Sequence, residues 1–239
     1  MIPSGCIDAL VFLNVTGTEH APDPGSLTAY AESAIAEDDT LRDARARAAE
    51  LGAPTITPAV GATLCMLARL TDAHSAVEVG TGAGVGGLWI LGGMSSEGIL
   101  TTIDDESEHH AAARAGFSAA GISPSRTRLI TGRAADVLPR LADASYDLIF
   151  INGEVIDQPR YVREALRLVR PRGVIVVHDA AAGGKIADPD FTDPETTAAR
   201  EAATIIAEDE TLLPVVIPLG EGLLAAAKAP VSETDSSTS

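Results

Sequence analysis

The chain has 239 residues, of which 46% are hydrophobic, so it is long enough and apolar enough to bury a full core. Its 34 acidic and 17 basic residues give a formal net charge of −17, and the basic residues are scattered. Nucleic acids and anionic membranes require a cationic surface, so we expect neither as a partner. The two cysteines, Cys6 and Cys65, have no metal-ligand spacing, and we expect a cytoplasmic protein with reduced thiols.

The predicted elements begin after a first segment, residues 1–25, that lacks a sustained hydrophobic period and should be loosely ordered. Residues 26–72 predict a helical extension of two helices. The first is broken near Asp38–Asp39 and ends before Gly52, and the second is capped by Thr57, with Pro58 in first position. Short strand-like runs then alternate with helical ones. The strands are predicted in "AVEVG", "GILTTID", "TRLITG", "YDLIFIN" and "RGVIVVHD".

This alternation predicts an α/β fold, in which helices cover both faces of a parallel sheet. The runs "DLIFI" and "GVIVV" are continuously apolar, as strands buried on both faces should be. The last segment, "LLPVVIPLGEGLLAAAK", predicts two strands about a tight turn at Gly220–Glu221–Gly222. We therefore expect a single domain over residues 26–228, with a doubly wound, mostly parallel seven-stranded sheet and an antiparallel C-terminal hairpin strand. Residues 229–239 are polar and predict a disordered tail.

A glycine-rich turn follows the first predicted strand in "VEVGTGAGVGGLW", residues 77–89. Glycines at such a turn let a ligand touch the backbone over the carboxyl ends of the strands. The stretch also satisfies the dinucleotide pattern G-x-G-x-x-G, so an NAD(P)-dependent oxidoreductase is one alternative. Glu78, just before the glycines, suits a ligand with a cationic amine better than a pyrophosphate.

The second predicted strand ends at Asp104, roughly 20 residues past the glycine turn. A carboxylate there can accept hydrogen bonds from ribose hydroxyls, in NAD and in S-adenosylmethionine alike. The alternative is a structural role, in which Asp104 caps the following helix.

The ordered set "EVGTGAG", "TTIDDE", "LITGRAADVLP", "YDLIFINGE", "GVIVVHDA", "GGKIADP" and "PLGEGL" resembles one family over residues 55–228. That family is the class I S-adenosylmethionine-dependent O-methyltransferases, in the branch of catechol and caffeoyl-CoA O-methyltransferases and their bacterial relatives. The resemblance implies a Rossmann-like methyltransferase fold, S-adenosyl-L-methionine as cofactor, a small-molecule hydroxyl acceptor and a homodimer. It places the cofactor against Ile56, Glu78, Gly80, Thr81, Gly82, Gly84, Gly86, Asp104, Asp105, Ala134, Ala135, Asn152 and Glu154.

The chain departs from this family where the resemblance implies three Mg²⁺ ligands and a catalytic lysine. The ligand positions hold Asn152, Asp179 and Ala180, and the lysine position holds Val155. Mg²⁺ requires several hard oxygen ligands, and only one carboxylate and one carboxamide remain. We therefore expect no tightly bound divalent metal and a methyl transfer that survives chelation.

His178 and Asp179 are the candidate catalytic residues, because they follow a central strand and a neutral histidine can act as a general base. A purely structural His178 is the alternative, since adjacent strand residues point to opposite faces. We expect His109 and His110 to be solvated and Trp89 to be packed. The loss of metal and lysine positions also leaves open a non-catalytic protein that binds S-adenosylmethionine.

Overall fold

The computed structural model describes residues 24–231, so most of the predicted loose N-terminus and tail lies outside the described residues. The helical extension comprises α1 (Pro24–Ser33), α2 (Asp39–Leu51) and α3 (Pro58–Leu70). The predicted break is present: Asp38 caps α2 by accepting a hydrogen bond from the Leu41 N–H, and Gly52 ends the helix at a φ of 66°. Thr57 caps α3, and Pro58 is its first residue, as the sequence predicts.

The rest of the chain alternates strands with helices. The strands are β1 (Ser75–Val79), β2 (Ile99–Asp104), β3 (Thr127–Thr131), β4 (Tyr146–Ile151), β5 (Val169–His178), β6 (Leu212–Ile217) and β7 (Leu223–Lys228). The helices are α4 (Val85–Gly93), α5 (Ser107–Ala119), α6 (Ala134–Val137), α7 (Gln158–Leu168) and α8 (Pro194–Glu208).

The strands form one seven-stranded sheet in the order β3-β2-β1-β4-β5-β7-β6. β1 to β5 are parallel, whereas β7 runs antiparallel to both of its neighbours, β5 and β6. The predicted α/β fold class is therefore confirmed. The strand order reverses between β1 and β4, and a crevice for a ligand is expected at the carboxyl ends of these two strands.

The core has one layer on each face of the sheet. All six residues of β4 are buried, and residues 148–151 alternate between the two layers. Phe150 packs in one layer with α3 and α4, and Ile149 packs in the other with α7 and α8. Trp89 is fully buried, as predicted, and a Cβ at Gly61 would lie only 2.3 Å from its ring. The small residue thus allows α3 and α4 to pack closely.

One predicted helix is shorter than its pattern suggests. The segment "AADVLPRLAD" forms only the four residues of α6 and one 3₁₀ turn, Leu138–Arg140. Pro139 has no N–H to continue the α-helical ladder, and its ring clashes with the preceding turn. None of the helices within residues 24–231 is long and apolar enough to span a bilayer.

Candidate functional site

A cavity of about 830 Å³ lies where the strand order reverses, at the carboxyl ends of β1, β2, β4 and β5. Its wall includes one residue at or just after the end of each of these strands: Gly80, Asp104, Asn152 and His178. Parallel strands bring their carboxyl ends to one edge of the sheet, which is why residues far apart in sequence meet here.

The glycine turn forms one side of the cavity and leads directly into α4. Gly80 has a φ of 89°, and a Cβ at this position would lie 2.4 Å from the carbonyl oxygen of Asn152. Only glycine fits this close approach between the exits of β1 and β4. Val85 and Gly86 also line the cavity, so the unbonded N–H groups of the first turn of α4 lie beside it.

The cavity brings together most of the residues expected to bind cofactor. Those in its wall are Ile56, Gly80, Thr81, Gly82, Gly86, Asp104, Asp105, Ala134, Asn152 and Glu154. Glu78, Gly84 and Ala135 are absent from the wall, as is Ala180 of the expected metal positions.

Glu78 does not line the cavity because it lies inside β1, opposite Thr102 of β2 and Phe150 of β4. Its side chain is fully buried, and its Oε2 atom accepts a hydrogen bond from the Thr102 hydroxyl at 2.7 Å. Its Oε1 atom has no hydrogen-bond partner among the described residues. Burial raises the pKa of Glu78 to about 8, so the carboxyl group is mostly protonated at neutral pH.

Asp104 lines the cavity and also accepts hydrogen bonds from neighbouring backbone groups. Its Oδ2 atom accepts the Gly82 N–H at 2.9 Å, and its Oδ1 atom accepts the Glu106 N–H at 3.0 Å. The Oδ1 atom also lies 3.0 Å from Nδ1 of His109. The carboxylate therefore joins the glycine turn to the start of α5 at the cavity wall.

The expectation that both neighbouring histidines are solvated is wrong. His109 lines the cavity, and His110 is buried between α5 and the sheet. The ring of His110 lies within hydrogen-bonding distance of the Thr131 and Thr81 hydroxyls, at 2.9 and 3.3 Å. Burial lowers the pKa of His110, which favours the neutral ring.

At the end of the cavity formed by β4 and β5, Asn152 contacts His178. The Oδ1 atom of Asn152 lies 2.8 Å from the Nδ1 atom of His178. Burial lowers the pKa of His178 to about 4, although the negative charge of Glu32 opposes this shift. The imidazole is therefore neutral at neutral pH.

Asp179 also lines the cavity, even though it is adjacent to His178 in sequence. β5 ends at His178, and Asp179 takes a left-handed conformation with a φ of 56°, so the alternation of strand side chains no longer applies. Burial, reinforced by the charges of Glu221 and Glu195, raises the pKa of Asp179.

These residues do not fit a Mg²⁺ site. The Asn152 oxygen already contacts His178, and the backbone N–H of Ala180 donates to Gly222 while its side chain stays out of the cavity. Val155, at the lysine position, adds only an aliphatic side chain to the wall. Within residues 24–231, no group of three or more His, Cys, Asp or Glu side chains could hold a metal ion.

Several wall residues were not identified as site residues from the sequence, although Arg133 and Glu221 lie within segments that carry the family resemblance. They are Tyr161 of α7, Glu195 of α8, Glu221 of the β6–β7 turn and Arg133 before α6. The wall is strongly acidic, with carboxylates at Asp104, Asp105, Glu106, Glu154, Asp157, Asp179, Glu195 and Glu221. Arg133 is the one arginine or lysine among the described residues that line it.

Comparisons with known proteins agree with this arrangement. Residues 27–229 match the family model described as O-methyltransferase. The "Probable O-methyltransferase Rv1220c" of Mycobacterium tuberculosis is 59% identical over 209 residues, which cover 87% of this chain and 93% of that protein. A crystal structure from Corynebacterium glutamicum superposes with a TM-score of 0.81 at 38% identity, covering 87% of this chain and 98% of the other. The O-methyltransferase TomG from Streptomyces achromogenes, solved with S-adenosylmethionine, gives a TM-score of 0.77 at 28% identity, with coverages of 85% and 96%.

Proposed function

This chain belongs to the O-methyltransferase family and is an S-adenosylmethionine-dependent enzyme, and we propose that its reaction takes place in the cavity at the carboxyl ends of β1, β2, β4 and β5. One observation carries the proposal: the glycine turn, Asp104 and the pair formed by Asn152 and His178 share one cavity. The family membership favours this function over an oxidoreductase or a non-catalytic binding protein.

We assign the cofactor to the side of the cavity formed by β1 and β2. Gly80, Thr81 and Gly86 would contact its methionine end, and Asp104 would accept hydrogen bonds from its ribose. The adenine would lie against Asp105 and Ala134, beneath Ile56, and Asn152 and Glu154 would lie beside the reacting centre. The bound cofactor supplies a methyl group that its sulfonium already activates, so the protein must mainly position the acceptor.

The acceptor would occupy the remaining part of the cavity, beside Asn152, His178 and Asp179. The carboxylates of Asp179, Glu195 and Glu221 disfavour a polyanionic acceptor there, because like charges repel across a partly desolvated space. We therefore propose a neutral or cationic small molecule with a hydroxyl group.

Turnover tests this function directly. The purified protein is incubated with S-adenosylmethionine and a panel of phenols, catechols and hydroxylated acids, and methylated products are identified by mass spectrometry. Titration calorimetry with S-adenosylhomocysteine and with NAD is the companion measurement. Binding of NAD in preference to S-adenosylhomocysteine, or the absence of any methylated hydroxyl, would contradict the proposal.

We also propose that the enzyme is a cytoplasmic homodimer. The exposed large apolar side chains of the described chain include Leu27 of α1 at 68%, Leu70 of α3 at 74% and Leu213 of β6 at 75%. A second copy of the chain would remove such side chains from water, and two-fold pairing is the most frequent assembly. Light scattering should give twice the chain mass of 24.5 kDa, and a monomer at micromolar concentration would refute the dimer.

A further inference from the structure

We propose that His178 takes the proton from the acceptor hydroxyl during methyl transfer, and that Asn152 is the positioning residue that fixes its tautomer. This inference rests on the proposed function. It assigns an uncharged amide–imidazole pair to the place where the family resemblance implies a Mg²⁺ ion.

The contact between the two side chains determines which ring nitrogen can accept a proton. A carboxamide oxygen is only an acceptor, so the distance of 2.8 Å between Asn152 Oδ1 and His178 Nδ1 requires the hydrogen on Nδ1. The Nε2 atom of the neutral ring then carries the free lone pair. Asn152 thus performs the orienting role that a carboxylate often has beside a catalytic histidine.

Gly220 of the β6–β7 turn lies beside Nε2, and His178 lines the cavity. A Cβ placed on Gly220 in the β6–β7 turn would lie 3.4 Å from this atom, but glycine provides none. The φ of Gly220 is 54°, and its N–H donates to Oε1 of Glu32 at 2.6 Å. The remaining Glu32 oxygen, Oε2, is buried without a hydrogen-bond partner among the described residues.

Glu32 gives the developing imidazolium an electrostatic partner. Its negative charge from α1 raises the pKa of His178 against the effect of burial. Asp179, Glu195 and Glu221 are further carboxyl groups in the wall of the cavity. The ring is therefore neutral before the reaction, and the charge of Glu32 offsets part of the cost of burying its protonated form.

The step balances without a further reactant. The bond between the acceptor oxygen and the methyl carbon forms as the bond between that carbon and sulfur breaks, and the electron pair stays on sulfur. The hydroxyl proton moves to Nε2 of His178 and then leaves to solvent. General-base catalysis of this type contributes about 100-fold to 10,000-fold in rate.

The first test needs no acceptor. ¹⁵N-edited NMR of the histidine rings reports the tautomer of each, and the His178 signals are assigned by their loss in His178→Gln. We expect the Nδ1–H tautomer in the wild type and a mixture of tautomers in Asn152→Ala. An Nε2–H tautomer in the wild type would overturn the proposal.

The second test separates proton removal from mere packing. Methylation of a nitrophenol that is already ionised is compared with methylation of phenol at the same pH, with EDTA present. His178→Gln should lose about 100-fold or more with phenol and only a few-fold with the ionised nitrophenol. Equal losses with both acceptors would overturn the role of His178 as a base.

Two further variants complete the design. Asn152→Asp places a negative charge beside the ring and should raise the pKa of His178. The acidic limb of the plot of methyl-transfer rate against pH should therefore move to higher pH. An unchanged limb would contradict the pairing of Asn152 with His178. His74→Gln, at an exposed histidine before β1, is the matched control and should change neither profile nor rate. Absence of any methyl transfer by the wild type would overturn the proposed function itself, whereas transfer that is insensitive to His178 would overturn only this inference.

Discussion

Asp104 is the residue on which the cofactor assignment depends most. Its carboxylate holds the glycine turn through the Gly82 N–H and approaches His109, and it remains part of the cavity wall. A ribose would add hydrogen bonds to this preorganised acceptor. Such bonds to a charged group contribute about 1.5–3 kcal/mol each, so one carboxylate can account for a large share of affinity.

We predict that Asp104→Ala weakens S-adenosylhomocysteine binding by about tenfold or more. Titration calorimetry measures the affinity, and thermal unfolding verifies that the variant still folds. Asp43→Ala, which removes an exposed carboxylate from α2, is the control and should leave the affinity unchanged. Equal affinities for the wild type and Asp104→Ala would contradict the proposal that Asp104 binds the ribose.

Glu78 should make the stability of the protein depend on pH. Its pKa is about 8 in the folded state and 4.5 in the reference state, so the unfolded chain releases this proton at lower pH. The stabilisation that Glu78 adds to the free energy of unfolding is fully present below pH 4.5 and is lost as the pH rises through about 8. The loss approaches about 1.4 kcal/mol for each pH unit within that window.

We predict that Glu78→Gln, which cannot ionise, gains stability relative to the wild type as the pH rises. Denaturant unfolding at acidic and mildly alkaline pH measures the difference in the free energy of unfolding. The two proteins should differ least at the acidic end. A difference that stays constant with pH would show that Glu78 is ionised throughout in the folded protein.

At the scale of elements, the turn between β6 and β7 links the hairpin to the reacting end of the cavity. Gly220 lies beside His178, and the Gly222 carbonyl oxygen accepts the Ala180 N–H at 3.0 Å. The hairpin therefore supports the exit of β5 as well as extending the sheet.

We predict that Gly220→Ala lowers methyl transfer more than tenfold while S-adenosylhomocysteine binding changes little. The added methyl group would meet Val60 at 3.0 Å and His178 at 3.4 Å. Gly52→Ala is the matched control, because Gly52 has a similar φ of 66° with no atom within 4 Å of the added Cβ. Both variants should lose about 1 kcal/mol of stability from backbone strain, so a similar loss of activity in both would contradict the specific role of Gly220.

The helices and strands could be predicted from the sequence more completely than the contacts of individual side chains. Continuous apolar runs identified β4 and β5, and the parallel arrangement then brought Asp104, Asn152 and His178 to one edge of the sheet. The burial of Glu78 and His110 could not be predicted, because it depends on which neighbours face each side chain after folding. The same holds for Glu32, which reaches the turn at Gly220 across 188 residues of sequence.

For the molecule as a whole, we predict that activity does not depend on a divalent metal. The donor atoms at Asn152, His178 and Asp179 do not provide the set of hard oxygens that Mg²⁺ prefers. Elemental analysis of the purified protein should find no stoichiometric metal, and methyl transfer should be equal with and without EDTA. Activity that EDTA abolishes and Mg²⁺ restores would show that the acceptor completes a metal site.

The position of β7 between β5 and β6 has a consequence for biosynthesis. β6 is hydrogen-bonded only to β7 in the sheet, yet it precedes β7 in the chain. During synthesis β6 therefore leaves the ribosome before its hydrogen-bonding partner in the sheet exists, and its backbone N–H and C=O groups stay unpaired until β7 follows. The nascent chain can complete β1 to β5 early, but the proton-accepting end of the cavity becomes competent only when the hairpin closes. This interval is the stage most open to aggregation, because an unpaired strand edge can pair with another chain.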